Sequence, residues 1–336
     1  MPERAPQLAV SYFGNRYPHH ARADMAAIAA AGADTVVLVM SESDLRWNAG
    51  TMAELVEIAT EAGLEPWLTA WAIGGVFGGE TASYAVGEHP EACQRDSAGN
   101  HLPALCPRHD AFRAVMREWL DAAAASGVQT VQWDEPQLAL PFHAGTERHG
   151  CWCDACQMAY RIRHGRTLPA VATPESAQFY ADLLNEVVTW LVMEARLRGL
   201  DSAVVLLPDE MYDAANARAM ATLPGVRYFG STPFTQRNEV SPAEIPAYLR
   251  GWVEQGQAAT AGTGVATYAW VQAFNVPAGE EATITLAITS LAEAGADLIA
   301  VWSWRACEAM SDLACEDPET AWAAVLDGFA AVRSGA

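Results

Sequence analysis

Ala30-Ala31-Gly32-Ala33-Asp34-Thr35-Val36-Val37-Leu38-Val39 joins the end of an Ala-rich amphipathic stretch, a glycine and an apolar β-prone run. Glycine supplies the left-handed cap that ends a helix. The same order recurs down the chain. Gly63 precedes Pro66-Trp67-Leu68-Thr69-Ala70-Trp71, Gly127 precedes Thr130-Val131-Gln132-Trp133, and Gly199 precedes Ala203-Val204-Val205-Leu206-Leu207. Gly225 then comes before Val226-Arg227-Tyr228-Phe229, Gly264 before Val265-Ala266-Thr267-Tyr268-Ala269-Trp270, and Gly295 before Leu298-Ile299-Ala300-Val301-Trp302. These are seven helix-to-strand junctions, and an opening strand over Leu8 to Gly14 completes eight strands. The runs are short and continuously apolar, as in a parallel sheet buried on both faces. Helices are predicted between them, over roughly 22–31, 50–62, 110–126, 174–198, 211–222, 242–257, 281–294 and 319–333. Eight alternating units predict a single (β/α)8 TIM barrel spanning residues 1–336. A doubly wound sheet is the alternative, but no G-x-G-x-x-G follows the first strand, so a dinucleotide fold has no support.

The composition excludes several classes. Apolar residues make up 51% and charged residues 18% of 336 residues, which rules out a disordered chain. No apolar run reaches the ~18 residues of a membrane span. Met1-Pro2-Glu3-Arg4-Ala5-Pro6 has no apolar signal-peptide segment, so the expected location is the cytoplasm. Twenty Lys and Arg against 41 Asp and Glu give a formal charge of −21. An acidic surface repels phosphate, so neither nucleic acid nor an anionic membrane is an expected partner. A monomer and a homo-oligomer both stay open. Twelve Trp point to a ligand with flat faces.

Two connections are long: roughly 40 residues after the third strand and about 37 after the fourth, on the face where barrel enzymes keep their active sites. They carry cysteines. Cys151-Trp152-Cys153-Asp154-Ala155-Cys156 lies in the second, and Cys106 in the first. Adjacent strands bring the two together, and four thiolates suit a closed tetrahedral zinc site with a structural role. Packed reduced thiols are the alternative. His109 and His149 are spare ligands, and Cys93, Cys307 and Cys315 read as ordinary residues.

The strand ends carry the candidate chemistry. The fourth strand ends in Asp134-Glu135-Pro136 and the fifth in Asp209-Glu210. Alternation along a strand predicts that one member of the first pair faces the mouth and the other a neighbouring element. Glycoside hydrolysis needs two carboxylates about the scissile bond. Asp209-Glu210 equally suits a helix start. Tyr12, Asn15 and Arg16 follow the first strand, Glu42 and Asp44 the second, and Trp71 closes the third. After it runs Gly74-Gly75-Val76-Phe77-Gly78-Gly79-Glu80, which lacks the Lys of a P-loop and reads as a mobile lid. Thr232 and Phe234 come from the sixth strand, Trp270 and Gln272 from the seventh, and Trp302, Trp304 and Arg305 from the eighth. Indole faces stack on sugar rings and polar side chains bind hydroxyls, so Trp71, Trp270 and Trp304 are expected to stack a sugar. Tyr12, Asn15, Arg16, Gln272 and Arg305 are expected to line the same site.

Cys106-Pro107, an acidic fourth-strand end and Cys151-x-Cys153-x2-Cys156 together resemble the zinc-binding β-galactosidases of glycoside hydrolase family 42. There a four-cysteine zinc cluster joins the loops after strands 3 and 4. The opening Tyr12-Phe13-Gly14 and the later Gly32-Ala33-Asp34-Thr35-Val36 are similar as well. The resemblance implies that Glu135 is the general acid/base. Two departures stand beside it. The family has Asn-Glu where this chain has Asp134-Glu135, and its nucleophile, a Glu ending strand 7, faces Trp270-Val271-Gln272-Ala273-Phe274 here. Glu280 and Glu281 come later, at a helix start. Three readings follow from the missing nucleophile: inversion with Asp209, Glu210, Asp44 or Glu42 activating water, another nucleophile, or a barrel that binds sugar without cleaving it.

Gln132-Trp133-Asp134-Glu135-Pro136 is also similar to the Gln-x-Asp-Glu-Pro strand end of cobalamin-independent methionine synthases. Those are zinc barrels with a His-x-Cys motif, which is missing here. The expected function is therefore hydrolysis of a small or oligomeric carbohydrate.

Overall fold

The computed structural model describes residues 5–13, 15–79, 81–208, 214–310 and 312–335. Eight parallel strands close into a barrel: β1 (Gln7–Tyr12), β2 (Thr35–Ser41), β3 (Glu65–Trp71), β6 (Thr130–Asp134), β7 (Asp201–Leu206), β8 (Val226–Ser231), β9 (Ala266–Gln272) and β10 (Leu298–Trp302). The strands neighbour one another in sequence order. β10 returns to β1 with Gln7 beside Leu298 and Val10 beside Val301. β4 (Cys93–Arg95) and β5 (His101–Leu105) form a separate antiparallel hairpin. This is the single (β/α)8 barrel expected. All seven junction glycines have positive φ, between 77° and 104°.

Both faces of the barrel strands are apolar, yet they serve different cores. Leu8, Val10, Leu38, Leu68, Val131, Val204 and Ile299 pack outward under the helices. Ala9, Val37, Trp67, Ala203, Tyr228, Tyr268 and Ala300 alternate with them and fill the interior. Trp67 is wholly buried there, tilted against Tyr228 at 4.6 Å between ring centroids. The Tyr228 hydroxyl donates to Gln7 Oε1 (3.1 Å), so this ring packs into the interior plug with its polar tip paired.

The two long connections contain elements that periodicity did not show. Residues 72–109 hold the hairpin and the short helix Tyr84–Glu88, and residues 135–173 hold the helix Asp154–His164. Asp96 builds the hairpin turn by accepting from the amides of Ala98 and Asn100, both at 2.9 Å. Among the described residues no helix is long and apolar enough to cross a membrane.

Gly230 in β8 shows how tightly the wall is packed. A Cβ there would lie 2.0 Å from the carbonyl oxygen of Tyr268, which is backbone and cannot yield. Gly251, in the helix Ile245–Thr260, has nothing within 4 Å of such a Cβ. Gly230→Ala is therefore expected to destabilise by at least about 3 kcal/mol. Gly251→Ala should stabilise by about 0.5–1 kcal/mol, since alanine restricts the unfolded helix segment. Urea unfolding of both variants checks the pair.

Candidate active site

The structure corrects the expectation for the Asp134-Glu135 pair. Asp134 ends β6 on the inward side, with Gln132 and Thr130 before it. Regular alternation would send Glu135 outward. Instead Glu135 adopts φ +45°, a left-handed conformation that costs a non-glycine residue about 1–3 kcal/mol. Its amide donates to Val205 O (3.1 Å), and the turn throws its carboxyl back over the mouth. Thr232, just past β8, donates its hydroxyl to Glu135 Oε1 at 2.5 Å. Both carboxylates are 8% exposed and both face Gly78. A Cβ on Gly78 would sit 3.2 Å from Asp134 Oδ2 and 3.4 Å from Glu135 Oε2.

Their environments differ. Burial pushes the Glu135 carboxyl above the usual carboxylate range, and the Thr232 hydroxyl and the charge of Arg237 only partly offset it. Asp134 is held as an acceptor. The Tyr268 hydroxyl lies 3.5 Å from Gln132 Oε1, which turns the amide nitrogen of Gln132 to Asp134 Oδ1 at 3.2 Å.

Around the pair, Trp71, Trp270, Trp302, Phe234, Phe274 and Leu313 enclose about 70 Å³. Trp71 and Trp302 stack at 4.8 Å and 7°, and Trp270 meets Trp302 edge-on at 5.8 Å. Gly79 packs on the Trp71 indole so closely that a Cβ would come within 2.8 Å of its ring. The Gly78-Gly79 segment therefore lies fastened over the mouth, with Gly78 N donating to Asp134 O (3.0 Å) and Gly78 O accepting from Ala72 N (2.9 Å).

Other expected site residues lie elsewhere. Tyr12 is on the outer side of β1, fully buried, and its hydroxyl donates to Asp24 Oδ2 (2.7 Å) under the first helix, so it does not line the mouth. Arg16 holds Asp44 with two bonds, at 2.6 and 2.8 Å, and donates to Val39 O (2.8 Å), which fixes the end of β2. Glu42 accepts from Gly74 N, Ser83 Oγ and Ala85 N, binding the connection after β3 to β2. Glu42 and Asp44 are thus held in structural bonds, Glu42 in a cleft it shares with the far side of Trp71 and not with Asp134 and Glu135.

Gln272 accepts from Arg237 N (3.1 Å) and donates to Phe274 O (2.9 Å), shaping one rim of the mouth. Asn15, Trp304 and Arg305 line a separate cavity of about 620 Å³ behind Phe13, shared with Asp24, His20 and Glu308. Trp304 also packs on Trp322, and Arg305 pairs with Glu308. Asp209, Glu210, Gly14 and Glu80 lie outside the described residues. Arg237, Phe274 and Leu313 were not singled out from sequence, since their loops carry no periodic signal.

Cys106, Cys151, Cys153 and Cys156 come together as expected. All four are buried, their sulfurs lie within 4.8 Å of one another, and Cys106 and Cys156 are 3.6 Å apart. A tetrahedral ion with sulfur at about 2.3 Å spaces its ligands at about 3.8 Å, so the set fits a metal ion. Hydrogen bonds from the other three thiols favour ionisation of Cys153 first, while contacts with those neighbours and burial push Cys106 and Cys156 up. Phe179, Tyr180 and Leu183 cover the cluster, and the Tyr180 hydroxyl donates to Cys151 O (3.0 Å). His149 bonds Pro169 O and His109 caps the helix Asp110–Ala125, so neither joins the set.

No protein family matches the chain by sequence profile, and no curated protein matches it in sequence. Solved structures match in fold. The catalytic domain of β-amylase from Paenibacillus polymyxa is similar over 89% of this chain and 92% of its own, with TM-score 0.63 and 11% identity. The endo-1,4-β-mannanase of Rhizomucor miehei matches over 99% and 96%, at TM-score 0.61 and 9% identity. GH5_18 from Streptomyces cattleya, in complex with GlcNAc, matches over 99% and 82%, at TM-score 0.56 and 17% identity. The chain thus has the TIM-barrel fold found in these glycoside hydrolases.

The Arg16–Asp44 pair supplies a test of the rim. Burial raises the Asp44 carboxyl, but Arg16 and the Ser41 donors outweigh it and hold it below its ordinary value. A depressed carboxylate contributes stability above its unfolded pKa and loses it as pH falls through the folded one. Arg16→Met should cost about 2–3 kcal/mol at neutral pH, with a gap to wild type that narrows toward acid. Thermal unfolding across that range reads the difference.

Proposed function

We propose that the chain is a glycoside hydrolase acting on a small or oligomeric carbohydrate, with Glu135 as general acid. One observation carries this: a buried carboxyl whose surroundings favour its neutral form stands at the end of β6, in a mouth walled by indoles. Thr232 engages Oε1, which leaves Oε2 to hold the proton for a glycosidic oxygen. The indoles exclude water and present flat faces to a sugar. Asp134, kept as an acceptor by Gln132, binds or orients the substrate beside it.

The four cysteines would hold a zinc ion. Four thiolates fill its tetrahedron and leave no open position, so zinc there orders the chain and performs no chemistry on substrate. Together with the strand-end acid, the cluster supports kinship with the family 42 β-galactosidases. Nucleic acid and membranes have no place in this reading.

A second reading rests on Gln272. β9 ends in an amide engaged with its own rim, where a retaining enzyme would offer a carboxylate. That favours a barrel that binds sugar without turnover.

Assays with aryl glycosides separate the two. Glu135→Gln is expected to lower kcat about 100-fold or more. The alkaline limb of the wild-type pH profile should lie above the usual carboxyl range, because activity needs protonated Glu135, and the variant should lose that limb. Full activity in Glu135→Gln would falsify the assignment. Tight sugar binding with no turnover in wild type would select the second reading.

For the metal, elemental mass spectrometry is expected to find one zinc per chain, lost in Cys153→Ser together with thermal stability. A metal-free wild type would remove the zinc assignment.

A further inference from the structure

Beside the mouth lies a larger cleft that the proposed chemistry leaves unused. It measures about 620 Å³, within the ~300–1,000 Å³ of small-molecule sites, and lies between the segment after β1 and the segment after β10. Phe13 stands between cleft and mouth. It lines the cleft, and its ring packs on the mouth indoles of Trp71 (5.0 Å between centroids) and Trp302 (6.3 Å). The chain leaving β10 serves both, with Trp302 in the mouth and Ser303 and Trp304 in the cleft. A ligand seated in the mouth therefore has the cleft as its neighbour.

The lining suits a neutral, hydroxyl-rich ligand. Tyr17 offers a ring in a residue that is 65% exposed. Asp24 offers an acceptor. Its Oδ2 takes the Tyr12 hydroxyl (2.7 Å) and the Asn15 amide (3.1 Å), which fix the carboxylate, and its Oδ1 accepts from none of the described residues. Arg305 offers donors. Its guanidinium lies over the Trp304 ring (5.3 Å to the centroid) and donates to Glu308 Oε1 (3.0 Å), while the side chain stays half exposed. Asp24, Glu308 and Arg305 bring both charges to one cleft, so an anion or a cation meets a like charge there. Hydroxyls both donate and accept, and find partners of each kind.

The backbone that presents Arg305 is unusual. Arg305, Ala306 and Cys307 take φ of 49°, 52° and 59°, three consecutive left-handed residues without a glycine. Residues with a Cβ enter this region singly and at a cost, and such strain gathers where a fold must aim a side chain at a ligand.

The geometry points to a distal sugar subsite in the cleft behind Phe13, and to a substrate that is an oligosaccharide filling mouth and cleft together. This rests on the glycosidase reading above and narrows its substrate to an oligomer. Tyr17 stacks the distal unit, and Asp24 and Arg305 bind its hydroxyls. Binding energy gained at that unit is spent at the scissile bond, so substrates too short to reach the cleft lose kcat as well as affinity.

The test follows cleavage of unlabelled malto-, cello-, manno-, xylo- and galacto-oligosaccharides, from disaccharide to pentasaccharide, by chromatography. For the series that is cleaved, kcat/KM is expected to rise at least about tenfold once the chain is long enough to reach the cleft. Tyr17→Ala and Arg305→Gln should each remove most of that rise, lowering the ratio of long-chain to disaccharide kcat/KM toward one. A flat length profile in wild type, or a rise kept in both variants, overturns the subsite and leaves the glycosidase reading standing. If no series is cleaved, calorimetry reads the same ladder. Affinity that grows with length and is lost in both variants then keeps the subsite and overturns hydrolysis. Binding that ignores length, or no binding of any member, overturns both.

Discussion

A strand in a closed barrel offers its side chains to the interior and to the helices in strict turn, and the mouth of this molecule depends on breaking that rule once. Asp134 and Glu135 are consecutive, so a regular β6 would present one and hide the other. The left-handed backbone at Glu135, held by its bond to Val205, returns the second carboxyl to the side of the first. The strain is small beside what the barrel supplies, because residues on both sides of the turn are locked into β6 and its neighbours. Everything chemical about the mouth follows: two carboxyls beside Gly78, one desolvated and favouring its neutral form, the other fixed by an oriented amide.

That amide shows how the interior governs the rim. Tyr268 sits in the plug of the barrel and meets Gln132, and Gln132 meets Asp134. A residue of the buried plug thus decides which end of the Gln132 amide the carboxylate of Asp134 meets. The plug is therefore more than filler. Its polar tips set the hydrogen-bonding sense of the groups above them.

The architecture was legible from sequence because its punctuation is chemical. A helix that must turn back into a strand needs a left-handed residue, and glycine at all seven junctions marked the strands. Inside each strand the legibility stopped, since both faces are apolar and period two disappears. Trp67 and Trp133 read alike, yet one fills the barrel and the other packs under a helix, donating to Ser202. The hairpin of β4 and β5 was invisible because strands of three and five residues carry too little pattern. The cysteine cluster could be assembled from spacing and strand adjacency alone. Tyr12 and Arg16 could not be placed, because Asp24 and Asp44, which hold them, are ordinary acidic residues until the helices dock. Arg237 and Leu313 come to the mouth through loops whose course is set by tertiary bonds such as the one to Gln272.

The cysteine cluster lies away from the indoles, but it bears on how a ligand can reach them. Cys106 closes the connection after β3 and the other three belong to the connection after β6. The two segments are further joined by Trp152 N to Arg95 O (2.7 Å), Ala139 N to the Gln94 side chain (3.0 Å) and Gln137 N to Val76 O (2.7 Å). One half of the rim, carrying Gly78, Asp134 and Glu135, is therefore a single cross-braced plate. The other half, where Phe274 and Leu313 lean over the opening, has its own bracing, from Asn275 N to Leu313 O (3.0 Å) and from Glu316 N to Val276 O (3.1 Å). The rim is thus built of two separately braced halves, and Glu135 is mounted on the half that the cysteines join. A guest seated between the halves would meet Asp134 and Glu135 on one side and the apolar lip of Phe274 and Leu313 on the other.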